Sequence, residues 1–535
     1  MTNRAKVGFA LAVLFAINTM NFFDRQILGA VGEMVRTDWG LNDTALGALG
    51  TAFTLLYAAV GLPLGRLTDK AQRTRILSVG VFVWTLLTAA SGLAANYWQL
   101  FVMRLGVGVG EATCAPASTS LIGDLFPASW RAKALSIFML GLPLGIALSY
   151  AVSGTVAQSW GWRSAFYVAG IPGLICVVAA LFIHEPKRGA TEIHNIGASR
   201  REGPKNGWMY LMGVWAITGI VYAAVLGIDM SSLRGQVAVP TWVALGALCV
   251  AFRRPISKWA EPFLVVLSIP TMWWLILSGA LHNFNMYAIG SFLSPFLIRY
   301  HILPFLIRLI PVEEQTKQAL EEATRQATMQ AGFVSMFVNG LAGVPGLILG
   351  GIIGDAIMRR RANGRLLVGA TAILLSAPLH YFGLRQPAGS MIAFAVLMGL
   401  GVAAMYVYYS TVYSTIQDVI EPSLRGTGMA LYFFAMYVLG ASFGPVGTGL
   451  ASDYFTKQAA IADGVTEFTR QTLEPYRADG LHSAMFLIPV LGGLLMLVLF
   501  AGSRTVTKDM DKLHHWMRRS TAQPAAAVAQ VESRD

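Results

Sequence analysis

About fourteen stretches of roughly twenty apolar residues follow one another along this 535-residue chain, and that length is what a helix needs to cross the hydrocarbon core of a bilayer. In lipid every backbone N–H and C=O must be bonded within the protein, which leaves helices for segments of this kind. With 55% of its residues hydrophobic and 13% charged, the chain cannot be an ordinary soluble domain. The expected fold class is therefore an all-α polytopic membrane protein. A formal charge of +12 would suggest nucleic acid for a soluble chain, but here it follows from Lys and Arg gathered in loops on one side, so no nucleic-acid partner is expected. Arg4 and Lys6 before an apolar run imitate a signal peptide. No small-x-small cleavage site follows before Asp24-Arg25, and the run is read as the first span. Cys114, Cys176 and Cys249 all fall in apolar spans, with neither a disulfide framework nor a metal-ligand spacing. No metal and no cofactor is expected.

Six spans, at about 7–34, 45–66, 74–95, 97–124, 131–157 and 163–184, make a first bundle over residues 1–185. A basic segment at 186–207, with Lys187, Arg188, Arg200, Arg201 and Lys205, has the composition of a cytoplasmic linker. Two apolar stretches then form an extra hairpin at 208–252. Six more spans, at about 264–298, 332–354, 365–384, 389–416, 426–451 and 481–502, make a second bundle over 253–503, and 504–535 reads as a disordered cytoplasmic tail. The Lys and Arg bias places both termini in the cytoplasm. An outer-loop insertion at about 303–330 carries Glu313/Lys317 and Glu321/Arg325 at i,i+4. It predicts either an amphipathic helix on the outer membrane surface or over a cavity mouth, or a solvated insertion without function.

The two bundles repeat one another. Gly65-Arg-Leu-Thr-Asp69-Lys70 leading to Arg73 and Arg75 has its counterpart in Gly351-Ile-Ile-Gly-Asp355 leading to Arg359, Arg360 and Arg361. Asp124 stands seven positions before Arg131, and Asp418 seven before Arg425. Gly161-Trp-Arg-Ser164-Ala165 matches Gly480-Leu-His-Ser483-Ala484. Three matches in order indicate duplication of a six-helix unit, a common way of building secondary transporters.

Charged residues inside spans are the next constraint. Arg104 and Glu111 are seven residues apart and share a helix face, roughly 10 Å apart along the axis. Gly106, Gly108 and Gly110 between them would let a neighbouring helix approach closely. Asp24 and Arg25 on the first span lie at a compatible depth. Ionisable groups there face a cavity or a partner rather than lipid. The expectation is that Arg25 pairs with Glu111 and that Asp24 competes for Arg104 or Arg25. Such a network can hold a proton, because burial favours the neutral form of a carboxyl whereas a nearby Arg favours the ionised one. A purely structural buried network is the alternative. Gly440-Ala-Ser442-Phe-Gly444 imitates a nucleophile elbow but lies within an apolar helix, and no Gly-Lys pair exists for a phosphate loop, so neither an enzyme nor an ATP-driven pump is expected.

The repeated Gly-x-x-x-Asp-(Arg/Lys) loop and the twelve core spans resemble the major facilitator superfamily: two pseudo-symmetric six-helix bundles, to which this chain adds a two-helix hairpin. Gln72 replaces the usual glycine in the first loop copy. Asn21-Phe-Phe-Asp24-Arg25, Gly108-Val-Gly110-Glu111-Ala112, Leu121-Ile-Gly-Asp-Leu-Phe-Pro127 with Arg131-Ala-Lys-Ala-Leu-Ser-Ile137, and Glu185-Pro-Lys-Arg-Gly189 resemble the Spinster-like branch. The organic-anion symporter branch shares the Asn-x-x-Asp-Arg and Gly-x-x-Glu-Ala patterns. In such folds the first, fourth, seventh and tenth spans surround the cavity. The resemblance thus implies substrate contacts from Arg25, His282, Asn283, Asn285 and Tyr287, from Tyr406, Tyr409 and Tyr413, and from Asn339. Ordinary core packing remains the alternative for His282 and the tyrosines. It also implies gating loops built from Gly65, Asp69 and Arg73 and from Gly351 and Asp355, with Asp69 near Arg425 and Asp355 near Arg131. Gly440 to Gly449 would be either a bend in the eleventh core span or a close packing surface.

The function that the resemblance implies is proton-linked transport of an amphipathic anion such as a lysophospholipid or sphingoid phosphate, driven by a proton gradient. A small organic anion, and a non-transporting lipid sensor or passive scramblase, are the alternatives. The expected setting is a monomer in the inner membrane of a bacterium, with the bilayer and a small amphipathic molecule as partners.

Overall fold

The computed structural model describes residues 3–186, 261–421 and 424–532. The linker at 187–207 and the hairpin at 208–252 lie outside the described residues. The first half consists of α1 (Asn3–Trp39), α2 (Asp43–Lys70), α3 (Arg73–Ser91), α4 (Tyr97–Glu111), α5 (Cys114–Leu125), α6 (Ala128–Trp160) and α7 (Trp162–Leu181). The second consists of α8 (Pro270–Phe296), α9 (Lys317–Ser335), α10 (Gly343–Met358), α11 (Gly364–Leu384), α12 (Met391–Val419), α13 (Arg425–Met436), α14 (Phe443–Ala462), α15 (Arg477–Met485) and α16 (Leu487–Glu532). Eleven described helical runs are long and apolar enough to span a membrane. The fourth span, expected as one helix over 97–124, is instead two, α4 and α5, interrupted directly after Glu111. Its glycines permit the expected close approaches. A Cβ on Gly108 would stand 2.6 Å from the Phe53 carbonyl oxygen, and one on Gly110 2.8 Å from the Trp84 side chain.

Within the first half α1 packs on α6, and α3 on α4 and α7; within the second α8 and α11 pack on α16, and α10 and α11 on α12. The halves meet where α1 crosses α8, α2 lies along α14 and α6 lies along α9. Near mid-height, α1 and α8 touch through Gly29 and Gly290, and the Tyr150 hydroxyl of α6 donates to the Gly290 carbonyl. A Cβ at Gly29 would collide with the Gly290 carbonyl oxygen and hold the helices apart, whereas one at Gly290 would press only on the end of Gln26.

Two expectations about the periphery are corrected. Residues beyond 503 are not a disordered tail throughout, since α16 continues through them and buries Val506, Met510 and Leu513. The Asp509 carboxylate accepts the Thr271 backbone N–H at 3.0 Å and its hydroxyl at 2.7 Å, so it caps the start of α8. Asp509→Ala is expected to cost about 1 kcal/mol, the usual value of a helix N-cap, read as a lower thermal unfolding midpoint in detergent. In the outer insertion Leu303–Arg308 forms a short exposed helix, and the helix from Lys317 onward is not a separate one but part of the eighth span. Thr316 caps α9, whose residues run on through Met336–Leu341 into α10 and lengthen the eighth span. Glu313 sits in a short turn ahead of that helix and cannot pair with Lys317, which instead faces Glu321 at 3.9 Å on the surface.

The end of the bundle bearing Asp124 and Asp418 shows the duplication most directly. Arg73, at the start of α3, reaches Asp124 at 2.5 Å and Glu185 at 2.8 Å. Arg365, at the start of α11, joins Asp418 and also Asp355 at 2.7 Å. These pairs stay within their own halves, while the expected gating pairs, Asp69 with Arg425 and Asp355 with Arg131, each rest on a side chain outside the described residues. Asp355 is held by Arg365, and Arg425 donates to the Gln417 carbonyl at 3.0 Å. A Cβ at Gly351 would stand in open space. The side chains of Asp69 and Arg131, and Gly65, fall outside the described set. Arg73 is 1% exposed and also donates to the Ser120 hydroxyl and the Pro186 carbonyl. Arg73→Met should therefore lower stability by about 2 kcal/mol, less than a fully buried broken pair, because Asp124 and Glu185 can be rehydrated. Thermal unfolding of the purified chain checks this.

Candidate functional site

Arg25 lies near the middle of α1, on the face turned to the second half. Its Nε donates to Glu111 Oε2 at 2.7 Å, and Asn21, one turn earlier on the same face, donates to that oxygen at 2.9 Å. Its Nη1 donates across the interface to the Tyr437 hydroxyl at 3.0 Å, with the Tyr287 hydroxyl at 3.5 Å. The guanidinium also lies over Tyr57 at 4.4 Å and Phe22 at 4.8 Å. One cation is thus held by a carboxylate of its own half and by aromatic hydroxyls of the other. Such contacts gain strength out of water.

The expected Arg25–Glu111 pair is present; the expected competition for a guanidinium by Asp24 is not seen. Asp24 points away from Arg25, as neighbours on a helix must, and its Oδ2 has only the Thr88 hydroxyl at 3.4 Å. Arg104 donates to the Asp24 backbone carbonyl at 3.2 Å rather than to its carboxylate. Arg104 is 1% exposed, lies 5.2 Å from the centre of the Phe53 ring, and has no carboxylate within ion-pair distance among the described residues. Glu111 Oε1 and Asp24 Oδ1 are likewise buried without a partner. The site therefore holds one paired arginine, one unpaired arginine and two half-satisfied carboxyls.

Arg25, Arg104, Phe53, Tyr287 and Ser291 line a narrow cavity between the halves, with about 470 Å³ of empty space when its open mouth is included. Tyr437, the partner of Arg25 from the second half, stands where α13 ends in a widened turn at Tyr437–Ala441, in which the Ser442 N–H bonds back to the Tyr437 carbonyl. Widened turns of this kind concentrate at functional sites. Beyond it Gly440 and Gly444 lie against the backbone of α8 at Ala280 and Phe284, so this stretch is both widened and closely packed.

Of the other expected contacts, Tyr287 alone reaches Arg25. Asn283, on the same face of α8, donates to the Gly279 carbonyl and to Met436 Sδ. His282 and Asn285 are buried within the second half, which for His282 is the core packing held as the alternative and for Asn285 departs from the expected substrate contact. His282 stacks on Tyr408 with ring centres 4.0 Å apart, and Asn285 donates to the Ile488 carbonyl. Tyr406 bonds to the Asn339 carbonyl, which occupies both in a joint between α12 and the turn after α9. Tyr409 and Tyr413 are half-buried, and with Phe433 they form a ladder of rings 5.6 and 5.4 Å apart. Asn21, Tyr57 and Tyr437 were missed by sequence reasoning. Asn21 alone carried a signal, its i,i+4 spacing from Arg25.

At the end where α1 meets α2, a second set of charges joins the halves. Arg299 binds Glu33 at 2.6 Å and Asp43 at 2.8 Å, and Arg36 binds Glu33 at 2.8 Å and Glu474 at 2.5 Å. Every described ion pair between the halves lies here. This end is closed, and the single helix α1 carries both this set and the Arg25 site.

Comparison with known proteins agrees with this architecture. The family described as Major Facilitator Superfamily matches residues 14–445. Protein spinster homolog 3 of Danio rerio is 25% identical over 498 residues, 91% of this chain and 84% of that protein. Protein spinster homolog 1 of Homo sapiens is 25% identical over 452 residues, 83% of this chain and 72% of that one. A protein of Escherichia coli (strain K12) described as a probable L-galactonate transporter is 31% identical, over 169 residues that make up 32% of this chain and 37% of that one. The crystal structure of a bacterial homologue of the human lysosomal transporter Spinster, inward-facing and unoccupied, matches with a TM-score of 0.66 at 23% identity, covering 94% of this chain and 98% of that one. That likeness shows the fold.

Proposed function

Because the chain belongs to the Major Facilitator Superfamily and is a Spinster-like transporter within it, we propose that it moves an amphipathic anion together with a proton by alternating access, the substrate being a lysophospholipid or a sphingoid-phosphate-like lipid. The observation that carries this reading is the position of Arg25, paired with Glu111 of the first half and bonded to Tyr437 of the second, inside the cavity between them. An anion entering that cavity competes with Glu111 for the same guanidinium. A proton on Glu111 removes the competitor, so proton and anion favour one another's binding. Asp24 is the second carboxyl available to the proton, and Arg104 the second cation available to the anion. The ring ladder of Tyr409, Tyr413 and Phe433 offers an apolar track for a chain. With the amino terminus in the cytoplasm, the closed end faces outward.

A smaller organic anion is a second reading, favoured by the match to the probable L-galactonate transporter. It would use the same arginines and leave the ring ladder idle. Uptake into proteoliposomes of a labelled lysophospholipid and of a small hydroxycarboxylate, each with and without an imposed pH gradient, separates the two. Gradient-stimulated movement of the lipid is expected. Movement of the small acid alone would transfer the assignment to that class, and movement of lipid indifferent to pH would leave passive lipid transfer.

A further inference from the structure

The turn between α1 and α2 is gripped at both its helix ends by the opposite half. α1 closes at Gly40, whose φ of +66° suits glycine, and the Thr37 carbonyl in its last turn accepts Arg470 Nη2 at 2.9 Å. The Arg470 guanidinium lies so close to Gly40 that a Cβ there would collide with it. Three residues on, α2 opens. The backbone N–H groups of Asp43 and Thr44 donate to the Asp453 carboxylate at 3.1 and 2.9 Å, and the Thr44 hydroxyl does so at 2.6 Å. A cation thus sits at the negative end of one helix dipole and an anion at the positive end of the next, both supplied from outside the half that owns the helices.

Arg477 fixes the anion by bridging Asp453 at 3.4 Å and Glu474 at 3.1 Å. With the pairs of Glu33, Arg36, Asp43 and Arg299, the closed end holds four carboxylates and four guanidiniums. Divided between the halves they are unequal. Glu33, Arg36 and Asp43 leave the first half with one excess negative charge, and Arg299, Asp453, Arg470, Glu474 and Arg477 leave the second with one excess positive charge. Opening this end therefore separates opposite net charges and also exposes both helix termini of the turn.

We propose that Arg470 and Asp453 are positioning residues that set how often the α1–α2 end opens, acting as a clamp on the termini of that turn and not on the substrate. The proposal uses the transport reading only in that the two halves rock. It concerns no particular cargo, and its test needs neither substrate nor proton gradient.

Spin labels at Asn96→Cys in the first half and Asp463→Cys in the second, with Cys114, Cys176 and Cys249 changed to Ala, report the separation across this end in purified protein. Both labelled positions are exposed. Asp453→Asn, which loses a partly buried charge from a helix end, should raise the ratio of long to short separation roughly three- to ten-fold, and Arg470→Gln, which loses an exposed one, roughly two- to five-fold. Arg470→Lys, which keeps the charge, should restore most of the short population. Unchanged separations in both variants, in protein that stays folded, overturn the proposal, as does an Arg470→Lys distribution equal to that of Arg470→Gln. Should a charge variant fail to fold, Thr44→Val removes only the hydroxyl contact to Asp453. It must shift the ratio the same way for the proposal to stand.

Discussion

Glu111→Gln will end accumulation of substrate against a pH gradient, bringing it to the level of vesicles without protein, while exchange of preloaded substrate continues. The amide oxygen of Gln can still accept the bonds now made by Arg25 and Asn21 to Glu111 Oε2, so the side chain keeps its place. What is lost is the charge that competes with the anion for Arg25 and the capacity to take a proton. Exchange needs neither, since a loaded carrier returns loaded. The outcome that removes Glu111 from the coupling step is native gradient-driven uptake by the variant in matched proteoliposomes. The same assay on Asp24→Asn tells whether the second carboxyl acts in series with it or is a bystander near Thr88.

Arg104→Met should make the protein more stable and the transporter worse. A buried guanidinium without a carboxylate is costly, because its desolvation is offset only by one carbonyl and one aromatic face. Methionine has a similar reach and no charge, so the thermal midpoint of the substrate-free protein should rise. If the anion completes the coordination of Arg104, its loss removes a charge-assisted bond of about 1.5–3 kcal/mol and raises KM roughly ten- to hundred-fold. A residue kept for packing alone gives a different pattern, with stability falling and KM unmoved. Opposed changes in stability and affinity are what a site held ready for its ligand predicts.

The fold was legible because membranes impose it: apolar runs of span length can be little else, and three ordered matches revealed the duplication. The Arg25–Glu111 pair was legible for a related reason, since a charge at that depth needs a partner and few are available. Other parts were hidden by helical geometry. His282, Asn283, Asn285 and Tyr287 look like one cluster along the chain, yet on a helix of 3.6 residues per turn Asn283 and Tyr287 share a face while His282 and Asn285 turn elsewhere. Tyr57 and Tyr437 gave no signal, because a tyrosine in a span is ordinary; only the fold shows that Tyr57 lies under the Arg25 guanidinium and that Tyr437 opens a widened turn. The closed end was overlooked for the opposite reason. Glu33, Arg36, Asp43 and Arg299 stand near span termini, where charges are commonplace, and only their burial in the fold sets them apart. Asp509 was missed because a polar run after the last span reads as a tail unless its buried stripe is noticed.

That α1 is one unbroken helix from the cavity to the closed end has a consequence for its length. Arg25 and Arg36 are eleven residues apart, close to three whole turns, so they point in nearly the same direction about 16 Å apart along the axis. Their rotational phase is set by the count of intervening residues and hardly at all by their identity. Substitutions between them can be absorbed as long as they pack, whereas one inserted or deleted residue turns Arg36 by about 100° relative to Arg25 and leaves one of the two facing the wrong helix. The interval is a ruler whose graduations matter more than its material.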